Sequence, residues 1–112
     1  MKLFQSKELL EAYKHVAEGG QALHVWGGEA VENWKKIEKR MPKVFRDAKE
    51  WGHLMDLDKE RLIATAKRLG VNVIVVAQEG RRSQHIDLCG KPLERAKEEC
   101  KEGDLFDGGK GE

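Results

Sequence analysis

Val71-Asn72-Val73-Ile74-Val75-Val76-Ala77 is the longest stretch of this chain that is apolar and β-branched almost without interruption, and its reading decides the fold. Side chains alternate across a strand, so a run that is apolar on both parities predicts a strand covered on both faces, at the centre of a sheet. On its N-terminal side, Leu62, Ile63, Ala66 and Leu69 recur at helical spacing opposite Lys59, Glu60, Lys67 and Arg68. Asp56 or Asp58 caps that helix and Gly70 stops it. On its C-terminal side, the six residues Gln78 to Ser83 lead to a second strand, Gln84 to Leu88. A loop that short cannot make a parallel crossover, so this pair is expected to be antiparallel.

Further out, His53 to Leu57 reads as a short strand and Ala22 to Trp26 as another, the latter bounded by Gly27-Gly28. A helix from Glu29 carries Val31, Trp34, Ile37 and Met41 on one stripe until Pro42 breaks it, and Lys43 to Glu50 adds a second helical turn or two. Ser6 to Glu18 is a helix with Leu9, Tyr13 and Val16 at helical spacing, ended by Gly19-Gly20. Pro92 opens the last helix, whose Leu93, Ala96 and Cys100 face inward. The order α-β-α-β-α-β-β-α, with right-handed β-α-β connections, predicts an α/β fold. The expectation is a single small domain over residues 1–102, with a mixed sheet of about four strands, mostly parallel with one antiparallel, packed by helices. Residues 103–112, rich in Gly and charge, are expected to be a flexible tail.

Composition narrows the function. The 112 residues have room for one core, and charged residues make up 37% of the chain yet cancel to a formal net charge of +1. So weak a net field argues against a dedicated nucleic-acid or membrane-surface protein, though not against a local basic patch. The longest unbroken apolar run, Val73 to Ala77, is far short of the roughly 18 residues that span a bilayer, so no membrane partner is expected. The N-terminus lacks the parts of a secretory signal, and a cytoplasmic location follows as an expectation. There Cys89 and Cys100 are read as reduced core residues, without the second pair that a four-cysteine zinc site requires. Hydroxyls are limited to Ser6, Ser83, Thr65 and Tyr13, and Lys, Glu and Arg dominate, a balance that leans toward a thermophilic source.

Ligands in open α/β sheets prefer the edge at the strands' carboxyl ends. The topology expected above places Trp26-Gly27-Gly28, Asp56, Arg81, Arg82 and His85 on that edge. Gly27-Gly28 precedes a helix N-terminus, where free N–H groups can hold an anion, or else serves backbone geometry alone. Arg81-Arg82 can grip phosphate or carboxylate, or form a solvated hairpin tip. His85 and Asp87 stand two apart on a strand and so share a face. They suit an oriented imidazole–carboxylate pair or two metal ligands, the alternative being a satisfied histidine and a turn-capping aspartate. His24 and His53 could join a metal site only if their strands are adjacent and in register, and the parallel topology starts His53 at the opposite edge from His85. No dinucleotide or Walker pattern is present, so no cofactor and no metal is called for.

From Leu23-His24-Val25-Trp26 onward, and most clearly from Trp51 to Glu99, the chain resembles short bacterial proteins grouped as domain of unknown function 4031. The features carrying the resemblance are His53-Leu54-Met55-Asp56, Arg68-Leu69-Gly70-Val71, His85-Ile86-Asp87-Leu88 and the segment Lys91 to Ala96. Ile86 stands where that family has an aromatic residue, and the loop from Val73 to Ser83 differs in character. The family has no established activity, so the resemblance draws attention to His53, Asp56, His85 and Asp87 without naming a reaction.

Three functions compete. The first, which demands the fewest coincidences, is a module binding a phosphate-bearing small molecule, a nucleotide or a nucleic-acid backbone through Gly28, Arg81, Arg82, His85 and Lys91. The second is a metal-dependent hydrolase or nuclease with His85 as general base, Asp87 orienting it and Asp56 as a further carboxylate. The third is a structural or partner-binding protein without catalysis, with a second copy of the chain, as a homodimer, among its partners.

Overall fold

A mirror relation sets the sheet: His24-Val25-Trp26 reads in reverse as Trp51-Gly52-His53, and the two segments pair antiparallel. The computed structural model of the protein describes residues 1–110, with side chains as far as Lys101. Strand β1 (Lys2–Phe4) leads through a 3-10 turn (Ser6–Glu8) into helix α1 (Leu9–Ala17) and strand β2 (Ala22–Gly27). Helices α2 (Glu29–Ile37) and α3 (Lys43–Asp47) follow, then strand β3 (Glu50–Met55), helix α4 (Lys59–Arg68), strand β4 (His85–Leu88) and helix α5 (Gly90–Lys110). The expected tail, residues 103–112, falls where side chains are not described, and residues 111–112 lie outside the described residues altogether. No helix among the described residues is long and apolar enough to cross a membrane.

The result is one α/β domain with a mixed four-stranded sheet in the order β1-β2-β3-β4. The expectation of a mostly parallel sheet is corrected: only β1 and β2 run parallel, while β2–β3 and β3–β4 are antiparallel. The right-handed crossover rule applies only once a connection returns parallel. Here α2 and α3, separated around Pro42, bring the chain back in the opposite direction. The return is fixed by aromatic pairing across the ladder, with Trp26 opposite Trp51 and their rings edge-to-face at 5.0 Å.

The second correction concerns Val71 to Ala77, which is not a strand. Only Ala77 joins the sheet, through an isolated bridge to His85. Gly70, at φ +93°, closes α4 as the chain turns back, with Gly70 N–H donating to Lys67 and Val71 N–H to Ala66. Val71, Ile74 and Val76 then pack against the core while Val73 and Val75 stay 79% and 67% exposed. The β-branched run thus satisfies half its apolar surface on the helical layer instead of in a ladder, and β4 takes the place beside β3.

Residue parity sorts the core. One sheet face carries Leu23, Val25, Leu54, Ile86 and Leu88 against Leu62, Ala66 and Leu69 of α4 and Leu93, Ala96 and Cys100 of α5. On the other face, Phe4, Ala22 and Met55 pack on Ala12 and Val16 of α1, and Trp51 and Cys89 pack on Val31 of α2. The two cysteines therefore belong to different clusters. Gly52 lets α5 approach β3: a Cβ built there lies 2.6 Å from Leu93 Cδ1 and 3.2 Å from Leu23 Cδ1. Gly52→Ala is expected to lower the unfolding free energy in urea by about 1–2 kcal/mol, because both leucine tips must leave a close-packed contact.

Candidate metal centre

Between the two apolar clusters of the α1–α2 face, the sheet presents a polar row. His24 of β2 pairs with His53 of β3, which pairs in turn with Asp87 of β4. His85, two residues before Asp87, shares this face. His85 exchanges both backbone hydrogen bonds with Ala77. By the alternation of an antiparallel ladder, His53 and Asp87 are then a non-hydrogen-bonded pair, the kind in which facing side chains come closest.

The geometry follows from that placement. Asp87 Oδ1 lies 3.2 Å from His85 Nε2 and 3.4 Å from His53 Nε2, and the two rings are 4.6 Å apart. The ligand atoms of the three residues all fall within 4.8 Å of one another, and no other such group occurs among the described residues. Two ligands about 2.1 Å from a tetrahedral ion stand roughly 3.4 Å apart, which the carboxylate–imidazole separations match. His85 Nδ1 lies 2.7 Å from the Ser83 carbonyl oxygen. A carbonyl only accepts, so Nδ1 carries the proton and Nε2 is the atom turned to Asp87. A backbone-held Nδ1–H is the arrangement metal-ligating histidines use; here Nε2 faces Asp87, to which it donates when the ring is protonated and beside which it offers a lone pair when the ring is neutral.

Electrostatics separates the two imidazoles. Burial pushes His53 down to about 4, aided by the neighbouring histidines and opposed by Asp87, so its ring is neutral at pH 7. Burial also works against charge on His85, but its hydrogen bonds with Asp87 and the Ser83 carbonyl prevail and raise its pKa. Asp87, penalised by burial, is nonetheless held below the usual carboxylate range by His85 and His53. Burial, then the Asp87 charge, raises the Cys89 thiol, which leaves it a poor additional ligand.

The other residues singled out from sequence lie elsewhere. Asp56 is fully buried and saturated: Arg61 donates to both its oxygens at 2.6 and 2.8 Å, Gln21 donates at 3.0 Å and the Asp58 N–H at 2.9 Å. It anchors the start of α4 and faces no cleft. Gly27 pairs with Glu50 at the opposite end of β3, and Gly28 precedes α2 at φ +62°. Arg81 is exposed in the turn before β4, and the Arg82 guanidinium sits 5.7 Å over the Tyr13 ring. None of these five lines the cleft beside His53, His85 and Asp87, whereas Lys91 of α5 does. The structure therefore joins His85, Asp87 and Lys91 and separates the glycine corner, the arginine turn and Asp56 from them. Sequence reasoning left His53 a conditional ligand and set it at the opposite edge from His85; the antiparallel register removes that separation, and the mirrored His-x-Trp and Trp-x-His segments were the signal for it.

Comparison with known proteins adds no assignment: no family model, curated protein or solved structure matches the chain.

Two outcomes follow from these environments. Asp56→Asn is expected to cost about 2–3 kcal/mol in urea unfolding while leaving metal binding intact, because the charge facing Arg61 and one buried acceptor oxygen are lost at a residue that does not line the cleft. The folded His53 takes its proton near pH 4 and the unfolded one near 6.5, so the stability contributed by the neutral ring is present above 6.5 and lost as pH falls toward 4. Melting temperatures of wild type and His53→Asn measured across that range should converge toward the acid end by an amount equivalent to roughly 2 kcal/mol.

Proposed function

We propose that this protein is a metal-dependent hydrolase whose ion is held by His53 Nε2, His85 Nε2 and the Asp87 carboxylate. The supporting observation is the convergence of these three ligand atoms within 4.8 Å, with Nδ1 of His85 already committed to the Ser83 carbonyl. Two imidazoles and one carboxylate form a ligand set suited to zinc and neighbouring divalent transition metals, and three protein ligands leave a coordination position for water. An ion held this way supplies a water acidified enough to attack at neutral pH. The ligands are 14%, 26% and 52% exposed at His85, His53 and Asp87 and all three line the cleft, so an ion held by them would be reached from that side. Asp87 is the most exposed of the three, and its second oxygen would be the group placed to accept a proton from such a water.

Isothermal titration of chelator-treated protein with zinc is expected to give one site per chain with micromolar affinity or better. His53→Ala, His85→Ala and Asp87→Asn should each weaken it by at least tenfold, and each should abolish zinc-dependent hydrolysis of an aryl phosphate ester. Equal zinc binding by the triple variant would remove the site, and with it the function proposed.

A further inference from the structure

The ligand set opens onto a cleft of about 1400 Å³ that runs along β4. Its wall is aromatic and starts at the histidines: the Trp26 ring is 5.5 Å from His53, Trp51 is 5.0 Å from Trp26, and Phe45 is 6.2 Å from Trp51. Trp34, 46% exposed, and Val73 and Val75, still more exposed, line the same cleft. Large apolar side chains gathered at one cleft, and left open to water there, mark a place where apolar surface is covered by something else.

The charges around the cleft say what accompanies that apolar group. Arg40, Lys91 and Arg95 line it against the two carboxylates Glu38 and Asp87. Asp87 is engaged with the imidazoles, and the Glu38 carboxylate accepts from the Arg40 backbone N–H. Arg95 donates to the Leu69 carbonyl and shares a second groove with Glu94, Glu98 and Glu99, while Arg40 and Lys91 form no ion pair with a carboxylate among the described residues. The cleft is thus apolar along its wall and cationic at its rim, beside a site suited to a divalent ion.

Resting on the hydrolase reading above, we infer that the substrate is a small phosphate ester of an aromatic or similarly flat apolar alcohol. The ring lies on the tryptophan wall, and the phosphate spans the distance between Lys91 and the site formed by His53, His85 and Asp87. Hydrolysis forms a bond from the water oxygen to phosphorus and breaks the bond from phosphorus to the alcohol oxygen. One water proton ends on the alcohol and the other on the released phosphate. A single-stranded nucleic acid is the poorer fit, because Arg81 and Arg82 lie off the cleft and a net charge of +1 provides no track for a long backbone.

The test uses phosphonates, whose carbon–phosphorus bond withstands hydrolysis, so binding is read apart from turnover. Zinc-loaded protein is expected to bind benzylphosphonate about tenfold more tightly than methylphosphonate, the gain of stacking one ring on indole. Trp34→Ala should erase most of that difference with zinc affinity unchanged, and Lys91→Ala should weaken both probes alike. If zinc binds at one site but the two phosphonates bind equally, the substrate class is overturned and the metal centre stands. If a ten-residue oligothymidylate outcompetes benzylphosphonate at equal phosphate concentration, the small-ester assignment is overturned in favour of a strand. Absence of zinc binding removes the function itself and this inference with it.

Discussion

The site depends on β3 running antiparallel to both of its neighbours in one register. That register sets His53 between His24 and Asp87 on one face and Leu54 between Leu23 and Ile86 on the other. Because the side-chain period of a strand is two, a slip of one residue would turn His53 into the α4–α5 core and Leu54 out among the imidazoles. The slip is opposed from both sides at once. Leu54 is fully buried in the larger core, and Trp51 is buried against α2 and against Trp26. Apolar packing on two layers thus holds the polar row in place, and the polar row need contribute nothing to its own alignment.

Two aspartates, Asp56 just past β3 and Asp87 on β4, show how surroundings divide one residue type into different roles. Asp56 meets a guanidinium, an amide side chain and a backbone N–H, and every direction in which its carboxylate can accept is used. Asp87 meets two imidazoles, and its side chain remains 52% exposed. A saturated carboxylate is a fastener, and it ties the end of β3 to α4 and to the Gly19 carbonyl through Arg61. A half-exposed carboxylate beside two imidazoles keeps room for a further partner. Both stand in short motifs of the form His-x-x-Asp or His-x-Asp, and spacing alone does not tell them apart.

Much of the scaffold was legible in the sequence. Asp58 caps α4 by accepting from the Arg61 N–H, and Leu62, Ala66 and Leu69 fill the core from the stripe that periodicity marked. Leu93, Ala96 and Cys100 do the same from α5. β1 was not legible, because three residues are too few for alternation to show. Val71 to Ala77 was misread because β-propensity describes fitness for a half-buried extended surface, which this segment has, and not possession of a ladder partner, which it lacks. The direction of β3 was the costly error. A helical connection is compatible with either direction, and the parallel choice put His53 and His85 at opposite ends. His85 and Asp87, two apart on one short strand, were legible as a pair because their shared face needs no topology.

β4 is paired with β3 on one side only. On its other side the Ala77 bridge occupies the backbone groups of His85, and by alternation the N–H and C=O of Asp87 point the same way, without a ladder partner among the described residues. The residue whose side chain completes the polar row is therefore also the next vacant rung of the sheet. In an antiparallel ladder continued from Ala77 and His85, that rung falls to Val75, which is largely exposed. Pairing at this edge and entry to the cleft compete for the same space.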